Sequence, residues 1–109
     1  MTTYRVRFTD EAEADLEGIG EYIDLADSPA RAGSVVASVR QRADSLAEFP
    51  ERGSYVNEVL DQGARSHRQV LAGPYRIVYT VTDATVIVQL IADGRRDIRA
   101  LLVQRLLQR

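Results

Sequence analysis

The sequence predicts an α+β domain in which an α-helical hairpin packs on an antiparallel β-sheet. Two stretches in the first half repeat apolar residues at spacings of three and four, as amphipathic helices do. In the second half, β-rich runs are joined by links of a few residues, which favour antiparallel neighbours. The predicted order is an N-terminal strand, two helices, three strands and a short C-terminal helix. We expect residues 1–109 to form one domain with one core.

The N-terminal strand and the first helix follow from the start of the chain. Residues 4–8 alternate apolar and charged side chains, the period of a strand with one buried face. Thr9 or Asp10 can then cap a helix whose first turn is acidic, as the helix dipole favours. The apolar stripe of this helix consists of Ala12, Leu16, Ile19 and Ile23.

The second helix is predicted to begin at Ser28 and Pro29, because serine suits the N-cap and proline the first helical position. It ends before Phe49, since the residue preceding Pro50 disfavours helix. Its apolar stripe consists of Ala32, Val35, Val36, Val39, Ala43 and Leu46. Each helix is apolar on one face only, so both must pack on another element, and a sheet is the obvious one.

The second half predicts a loop followed by three strands. Residues 51–63 show no period and are expected to form a connecting loop with little structure of its own. Strands are predicted at about residues 65–71, 75–81 and 85–92.

In the middle strand, Tyr75 and Tyr79 share one face and Arg76 lies on the other. We expect the two tyrosines to be core residues whose hydroxyls reach water. Asp97 can cap the C-terminal helix, which is short and must dock on the sheet to persist.

Charge is distributed unevenly along the chain. Residues 1–61 hold six arginines against thirteen acids, and residues 62–109 hold eight against three. The acidic first half argues against broad binding to nucleic acid, although a local basic patch in the second half is compatible with the composition. Apolar runs are far shorter than the roughly 20 residues that cross a bilayer, and the N-terminus does not resemble a signal peptide.

The types of residue that are missing restrict the chemistry. There is no cysteine, hence no disulfide and no cysteine-ligated metal, and we expect a cytoplasmic protein without metal or cofactor. Every side-chain cation is arginine, and a guanidinium stabilises charge but is a poor base. Near neutral pH, His67 and a carboxyl group of raised pKa are the remaining candidates for proton transfer.

Candidate binding residues cluster near the C-terminus. Arg95 and Arg96 lie on a predicted turn, where guanidinium groups can meet phosphate or carboxylate in bidentate fashion. Arg76 either pairs with an acid such as Asp93 or Asp97, or contacts a partner. A lone histidine in a strand is more often a partly exposed, hydrogen-bonded residue than a catalyst. The simpler interpretation of His67 is therefore that it is not catalytic.

The C-terminal helix is apolar around more than one face. One set of its leucines can dock on the protein's own sheet. The other set is then expected either to contact a partner or a second copy of the chain, or to have no particular role. The leucines and valine concerned are Leu101, Leu102, Val103, Leu106 and Leu107.

Several short motifs, in their order and spacing, resemble the RelE/ParE superfamily of toxins from type II toxin–antitoxin modules, and the ParE branch more than the RelE branch. They are residues 4–9 with Ala12, Asp15, Leu16, Ile19, Tyr22 and Ile23; Ser28, Pro29 and Ala32; Leu46, Phe49, Pro50 and Gly53; Arg68 with Gly73; residues 75–79; and residues 94–97. The resemblance covers nearly the whole chain and implies the same order of elements.

What the resemblance implies about activity divides between two branches. RelE-like toxins are ribosome-dependent mRNA endonucleases, and ParE-like toxins poison DNA gyrase. The two lysines, two arginines and terminal tyrosine of the nuclease set fall on His67 and Gln69, on Arg76 and Arg96, and on Leu102. Three of these five positions have lost the family's residue type. The expectation is therefore a non-enzymatic gyrase inhibitor of the plasmid-stabilisation type. The alternatives are a nuclease that uses His67, Arg76 and Arg96, and an inactive relative that only binds its partner.

The resemblance also implies a partner, a ParD-like antitoxin whose disordered C-terminal segment folds on the toxin. A sheet edge and the groove between the hairpin and the sheet are plausible docking places. Residues expected to contact the antitoxin or the target are Arg68, Arg76, Arg95, Arg96, Leu101, Leu102 and Leu106.

Overall fold

A five-stranded sheet with strand order β1-β5-β4-β3-β2 lies at the centre of the computed structural model, which describes residues 3–60, 63 and 66–107. The strands are β1 (Arg5–Phe8), β2 (Ser54–Tyr55), β3 (Arg68–Ala72), β4 (Tyr75–Thr82) and β5 (Thr85–Asp93). The helices are α1 (Asp10–Ala26), α2 (Pro29–Asp44), α3 (Asn57–Leu60) and α4 (Arg99–Leu107), with a 3-10 turn at Ser45–Ala47. Among these described residues, no helix is both long and apolar enough to span a membrane.

The sheet is antiparallel from β2 to β5, as predicted, but β1 joins it in parallel to β5. Arg5 pairs with Thr85 and Phe8 with Val88. Parallel neighbours need a long crossover, and residues 9–84 lie between these two strands. The structure thus gives the N-terminal strand, whose place in the sheet the sequence does not predict, a position at one edge.

The helical hairpin forms as the sequence predicts. Of the two candidate caps for α1, Thr9 is the one used: its hydroxyl accepts a hydrogen bond from the Ala12 backbone N–H at 3.0 Å. Ser28 caps α2 through the Arg31 backbone N–H at 3.1 Å, with Pro29 at the first helical position. The apolar stripes of both helices face the sheet and form the main core with Ile77, Tyr79 and Val88.

A second, smaller core covers the opposite face of the sheet. It joins Val78 and Leu90 to α4 and to the region around α3. A β-bulge makes this possible: Val78 pairs with Leu90 whereas Tyr79 pairs with Val88, so that Gln89 is an extra residue in β5. The bulge lets β5 continue to supply apolar side chains to both cores.

Within the predicted loop at residues 51–63, residues 51–60 are more regular than expected. They contain the two-residue strand β2, which pairs with β3, and the one-turn helix α3. Val56 and Val59 are fully buried in the second core. These elements are too short to show a period in the sequence. The predicted start of the next strand at Arg65 lies outside the described residues.

Tyr79 departs from its expected setting. The side chain is fully buried, and its hydroxyl accepts a hydrogen bond from the Gly53 backbone N–H at 3.0 Å instead of reaching water. Burial raises the pKa of this hydroxyl. Tyr79 therefore ties the segment before β2 to the centre of the sheet.

Candidate functional site

A cavity of about 580 Å³ opens on the face of the sheet that carries α3 and α4. Charged and polar side chains from α3, β3, β4 and the segment leading into α4 converge on it: Glu58, Gln69, Arg76, Arg95, Asp97 and Arg99. Three of these are arginines. The cavity therefore contains two of the predicted site residues, Arg76 and Arg95, and is the candidate functional site.

Arg76 is the buried centre of the site, with 8% of its surface exposed. Its Nη1 and Nη2 donate to the two Glu58 carboxylate oxygens at 2.7 and 2.9 Å. Its Nε donates to Gln69 Oε1 at 2.8 Å, and Nη2 also contacts that oxygen. The acid that pairs with Arg76 is thus Glu58, and the expectation of Asp93 or Asp97 is wrong.

The hydrogen bonds from Arg76 favour the ionised form of Glu58. The Arg76 guanidinium lowers the pKa of the Glu58 carboxyl below its ordinary value, against the opposing effect of burial, and Arg99 adds a smaller effect in the same direction. Glu58 is therefore a carboxylate at neutral pH. Arg76 donates to it in the bidentate geometry that guanidinium also uses with phosphate.

Gly94 is required by the position of Arg76. A Cβ at this residue would lie 2.8 Å from Arg76 Cγ and 3.1 Å from the Pro74 carbonyl oxygen. The Gly94 backbone N–H donates to that same oxygen at 2.7 Å. The turn after β5 therefore packs directly on the aliphatic part of the Arg76 side chain, which only glycine allows.

Arg95 and Arg96 lie on this exposed turn, where the sequence predicts them. Asp93 accepts hydrogen bonds from Arg95 Nε at 3.0 Å and from Arg95 Nη2 at 2.7 Å, and this pairing lowers the pKa of Asp93 to about 2. The Arg95 side chain is nevertheless 71% exposed. Arg96 is exposed as well and faces a groove of about 870 Å³ between α1 and α4.

His67 and Arg68 do not line the cavity. His67 is buried, with its Nδ1 3.1 Å from the Ser66 hydroxyl, so it is not the partly exposed residue that we expected. Arg68 Nη1 donates to the Gly53 carbonyl at 2.7 Å, and its guanidinium lies 4.5 Å from the centre of the Tyr55 ring. Both residues support the β2 region of the fold.

The leucines of α4 divide into two sets. Leu102 and Leu106 are buried in the second core, which corrects the expectation that they contact a partner. Leu101 is 38% exposed and lines the 870 Å³ groove together with Tyr22, which is 73% exposed. Of the predicted contact residues in α4, Leu101 is therefore the accessible one.

Residues that matter here also escaped the sequence argument. Glu58 lies in the segment predicted to be a loop, and no local pattern marks it as the partner of Arg76. Asp15 accepts hydrogen bonds from the Ile91 backbone N–H at 3.0 Å and from Arg105 Nη2 at 2.7 Å, which links α1 to α4 across the edge of β5. A contact between residues so distant in the chain leaves no local signal in the sequence.

The order of elements and the sheet with a helical hairpin on one face agree with the fold that the resemblance to the RelE/ParE superfamily implies. Residues 6–98 match the family model described as the ParE toxin of the type II toxin–antitoxin system, parDE. The chain therefore belongs to the ParE toxin family, as the resemblance indicated. No metal-binding group of three or more His, Cys, Asp or Glu side chains occurs within the described ranges.

Individual relatives come from both branches of the superfamily. The chain is 38% identical over 82 residues to Toxin RelE2 of Caulobacter vibrioides, a match that covers 75% of this chain and 85% of that protein. It resembles a chain of the RelBE2 toxin–antitoxin complex from Mycobacterium tuberculosis, with a TM-score of 0.63, 27% identity, and coverage of 85% of this chain and 93% of the other. A chain of the chromosomal ParDE system from P. aeruginosa shares the fold, with a TM-score of 0.70, 16% identity, and coverage of 84% and 96%.

Proposed function

We propose that this toxin inhibits DNA gyrase by binding the enzyme and stabilising its complex with cleaved DNA. The observation that carries the proposal is the state of Arg76, the arginine that a RelE-like nuclease would need. Glu58 neutralises it, and Gln69 Oε1 accepts hydrogen bonds from its Nε and Nη2. An arginine already paired in this way is poorly placed to stabilise charge on a reacting phosphate.

The side chains at the remaining nuclease positions also support binding over cleavage. Cutting RNA requires a base for the attacking hydroxyl and an acid for the leaving oxygen. Gln69 has no titratable group, and Leu102 is buried and apolar. His67 is buried beside Ser66 and is not among the residues that line the cavity.

The second candidate function is ribosome-dependent cleavage of mRNA. One observation favours it: the relatives at 38% and 27% identity carry RelE names. In that case Arg76 and Arg96 would stabilise the phosphate and His67 would transfer a proton, after Glu58 had left Arg76.

We also propose a ParD-like antitoxin as the partner that neutralises this chain. The similar chains of known structure come from the RelBE2 toxin–antitoxin complex and from a chromosomal ParDE system. The 870 Å³ groove between α1 and α4 offers such a partner exposed apolar surface at Tyr22 and Leu101, beside the cation Arg96. A disordered segment that folds on binding can cover a surface of this kind.

The gyrase proposal is tested with the purified toxin, DNA gyrase, ATP and plasmid DNA. We expect linear DNA from trapped cleavage complexes to accumulate with increasing toxin. Arg96→Ala should lower this effect about tenfold, as loss of an interfacial arginine often does. Arg7→Ala removes another exposed arginine, on β1, and should leave the effect unchanged. Failure of the native toxin to trap gyrase would contradict the proposal.

The nuclease alternative is tested in parallel on translating ribosomes. Intact message in the presence of the native toxin, together with trapped gyrase, supports the proposal. Message that is cut by the native toxin but not by the His67→Ala variant would replace it. Far-UV circular dichroism of the variant must match that of the native protein, because His67 is buried.

A further inference from the structure

Helix α1 carries a second apolar stripe, beside the buried one, that faces solvent. Its members follow one another at spacings of four, four and three, and all are exposed: Ala14, Gly18, Tyr22 and Leu25. The two large ones, Tyr22 and Leu25, are 73% and 90% exposed. Leu101 of α4 is 38% exposed and lines the same 870 Å³ groove as Tyr22. We call Tyr22, Leu25 and Leu101 the apolar patch, and a patch that extends over two elements is typical of a contact surface.

The two borders of the apolar patch carry opposite charges. On the side of α2, an acidic row lines a groove of about 550 Å³ between the two helices: Glu17, Glu21 and Asp24. On the side of α4, the arginine turn, Arg95 and Arg96, lines the 870 Å³ groove. Arg95 already pairs with Asp93, whereas Glu21 and Arg96 form no salt bridge within the described residues. Each border therefore presents a charge that a partner can neutralise.

A surface of this kind is complementary to itself. Two copies related by a two-fold axis use the same patch, so each group must find its partner on an identical surface. An axis that runs beside α1, roughly parallel to it, places patch against patch and the acidic row of each copy against the arginine turn of the other. An axis across α1 would place acid against acid, and like charges disfavour that arrangement.

Partners that carry one sign of charge satisfy only part of this surface. A nucleic acid would meet the arginine turn with its phosphates and be repelled by the acidic row. A basic partner would be attracted by the acidic row and repelled by the arginine turn. A second copy supplies an apolar centre and both signs of charge in the matching order.

We propose that two copies of this toxin associate through the apolar patch, about a two-fold axis that runs beside α1, with Glu21 of each copy facing Arg96 of the other. Small interfaces are typically transient, so we expect a dissociation constant on the order of tens of micromolar. The dimer covers Tyr22 and Leu101, the surface proposed above for the antitoxin, so one toxin cannot bind both partners at once. This inference does not depend on whether gyrase or the ribosome is the target.

Sedimentation equilibrium of the full chain, at roughly 1 to 500 µM, measures the association. We expect a reversible equilibrium between monomer and dimer for the native protein. Leu25→Ser should weaken it at least about tenfold, because a two-fold contact loses the side chain twice. Leu71→Ser removes a leucine that is 56% exposed on β3, outside the apolar patch, and should associate as the native protein does.

Both leucines are exposed, so neither replacement should disturb the fold, which far-UV circular dichroism checks. A native protein that stays monomeric over the whole range would overturn the proposal and leave the groove to the antitoxin alone. Association that Leu25→Ser leaves unchanged, or that Leu71→Ser weakens equally, would overturn it as well.

A charge exchange tests the arrangement of the two copies. Glu21→Arg and Arg96→Glu each place like charges face to face twice within their own dimers, so each alone should weaken association at least about tenfold. In a mixed dimer of the two variants, the new cation of one copy faces the new acid of the other, and the second contact keeps its native charges. The two variants should therefore bind each other as tightly as native copies do.

A fluorescent label on the Arg96→Glu protein lets sedimentation detect the mixed dimer. Glu48→Arg is the matched control for Glu21→Arg, because Glu48 is exposed beside Phe49, outside both borders of the apolar patch. It should bind the labelled protein about tenfold more weakly than Glu21→Arg does, since one pair of like charges remains. Equal binding by the two would overturn the proposed arrangement. A toxin that failed to trap gyrase would affect only the proposed function.

Discussion

The backbone of Gly53 makes the hydrogen bonds that hold the segment before β2 against the sheet. Its N–H donates to the buried Tyr79 hydroxyl at 3.0 Å, and its carbonyl accepts from Arg68 Nη1 at 2.7 Å. A Cβ here would lie 2.6 Å from both the Gln69 carbonyl oxygen and the Tyr79 hydroxyl. Neither atom can retreat, because one belongs to the sheet backbone and the other to a fully buried ring.

Gly53→Ala should therefore destabilise the fold by about 1–3 kcal/mol through overpacking. Gly33→Ala is the matched control. Gly33 is exposed in α2 with nothing within 4 Å of a new Cβ, so its replacement should stabilise the protein by roughly 0.5–1 kcal/mol. Urea unfolding followed by circular dichroism measures both, and shifts of the same sign would contradict the steric argument.

Among the elements, α4 depends on a connection to α1 that passes around the edge of β5. Asp15 accepts from the Ile91 N–H and from Arg105, and Arg105 Nη2 also lies 3.3 Å from the Gln89 carbonyl. Beyond Val88, β5 has no β1 residue beside it in the register. The two charged side chains therefore satisfy backbone groups at an open sheet edge and block that edge at the same time.

The buried position of this ion pair predicts stronger coupling than a surface pair has. The Arg105 and Asp15 side chains are 15% and 20% exposed, against 45% and 48% for Arg40 and Glu13, which also pair. Double-mutant cycles with alanine should give a coupling energy of about 1–3 kcal/mol for the first pair and about 0.2–1 kcal/mol for the second. Coupling energies in the reverse order would contradict the claim that the Asp15–Arg105 pair holds α4 to α1.

At the scale of the whole molecule, the sheet is covered on both faces, and we expect the two layers to unfold as one unit. Leu102 on α4 is fully buried, whereas Leu25 on α1 is 90% exposed. Leu102→Ala should cost about 2–5 kcal/mol, and Leu25→Ala should change stability by no more than about 0.5 kcal/mol. Near-UV and far-UV signals should still report one transition for Leu102→Ala in urea, and two separate transitions would show that the layers unfold independently.

How much of the fold and of the candidate site could be predicted from the sequence depended on the length of each element. The α1 and α2 stripes, the Thr9 and Ser28 caps and the alternation in β4 are repeated or local signals, and the structure confirms them. The partner of Arg76 is a matter of tertiary contact, because Glu58 lies in a helix of one turn. Which leucines of α4 are buried and which are exposed could be stated only once the packing direction of that helix was known.

The parallel pairing of β1 with β5 affects how the protein emerges from the ribosome. Arg5 pairs with Thr85, so β1 must wait for a neighbour that is synthesised 80 residues later. Until then the nascent chain holds a helical hairpin without the surface on which it packs. Contacts this distant in sequence also slow folding. The complete sheet therefore cannot exist before β5 has been synthesised, which leaves an interval in which a partner protein made earlier can already be waiting.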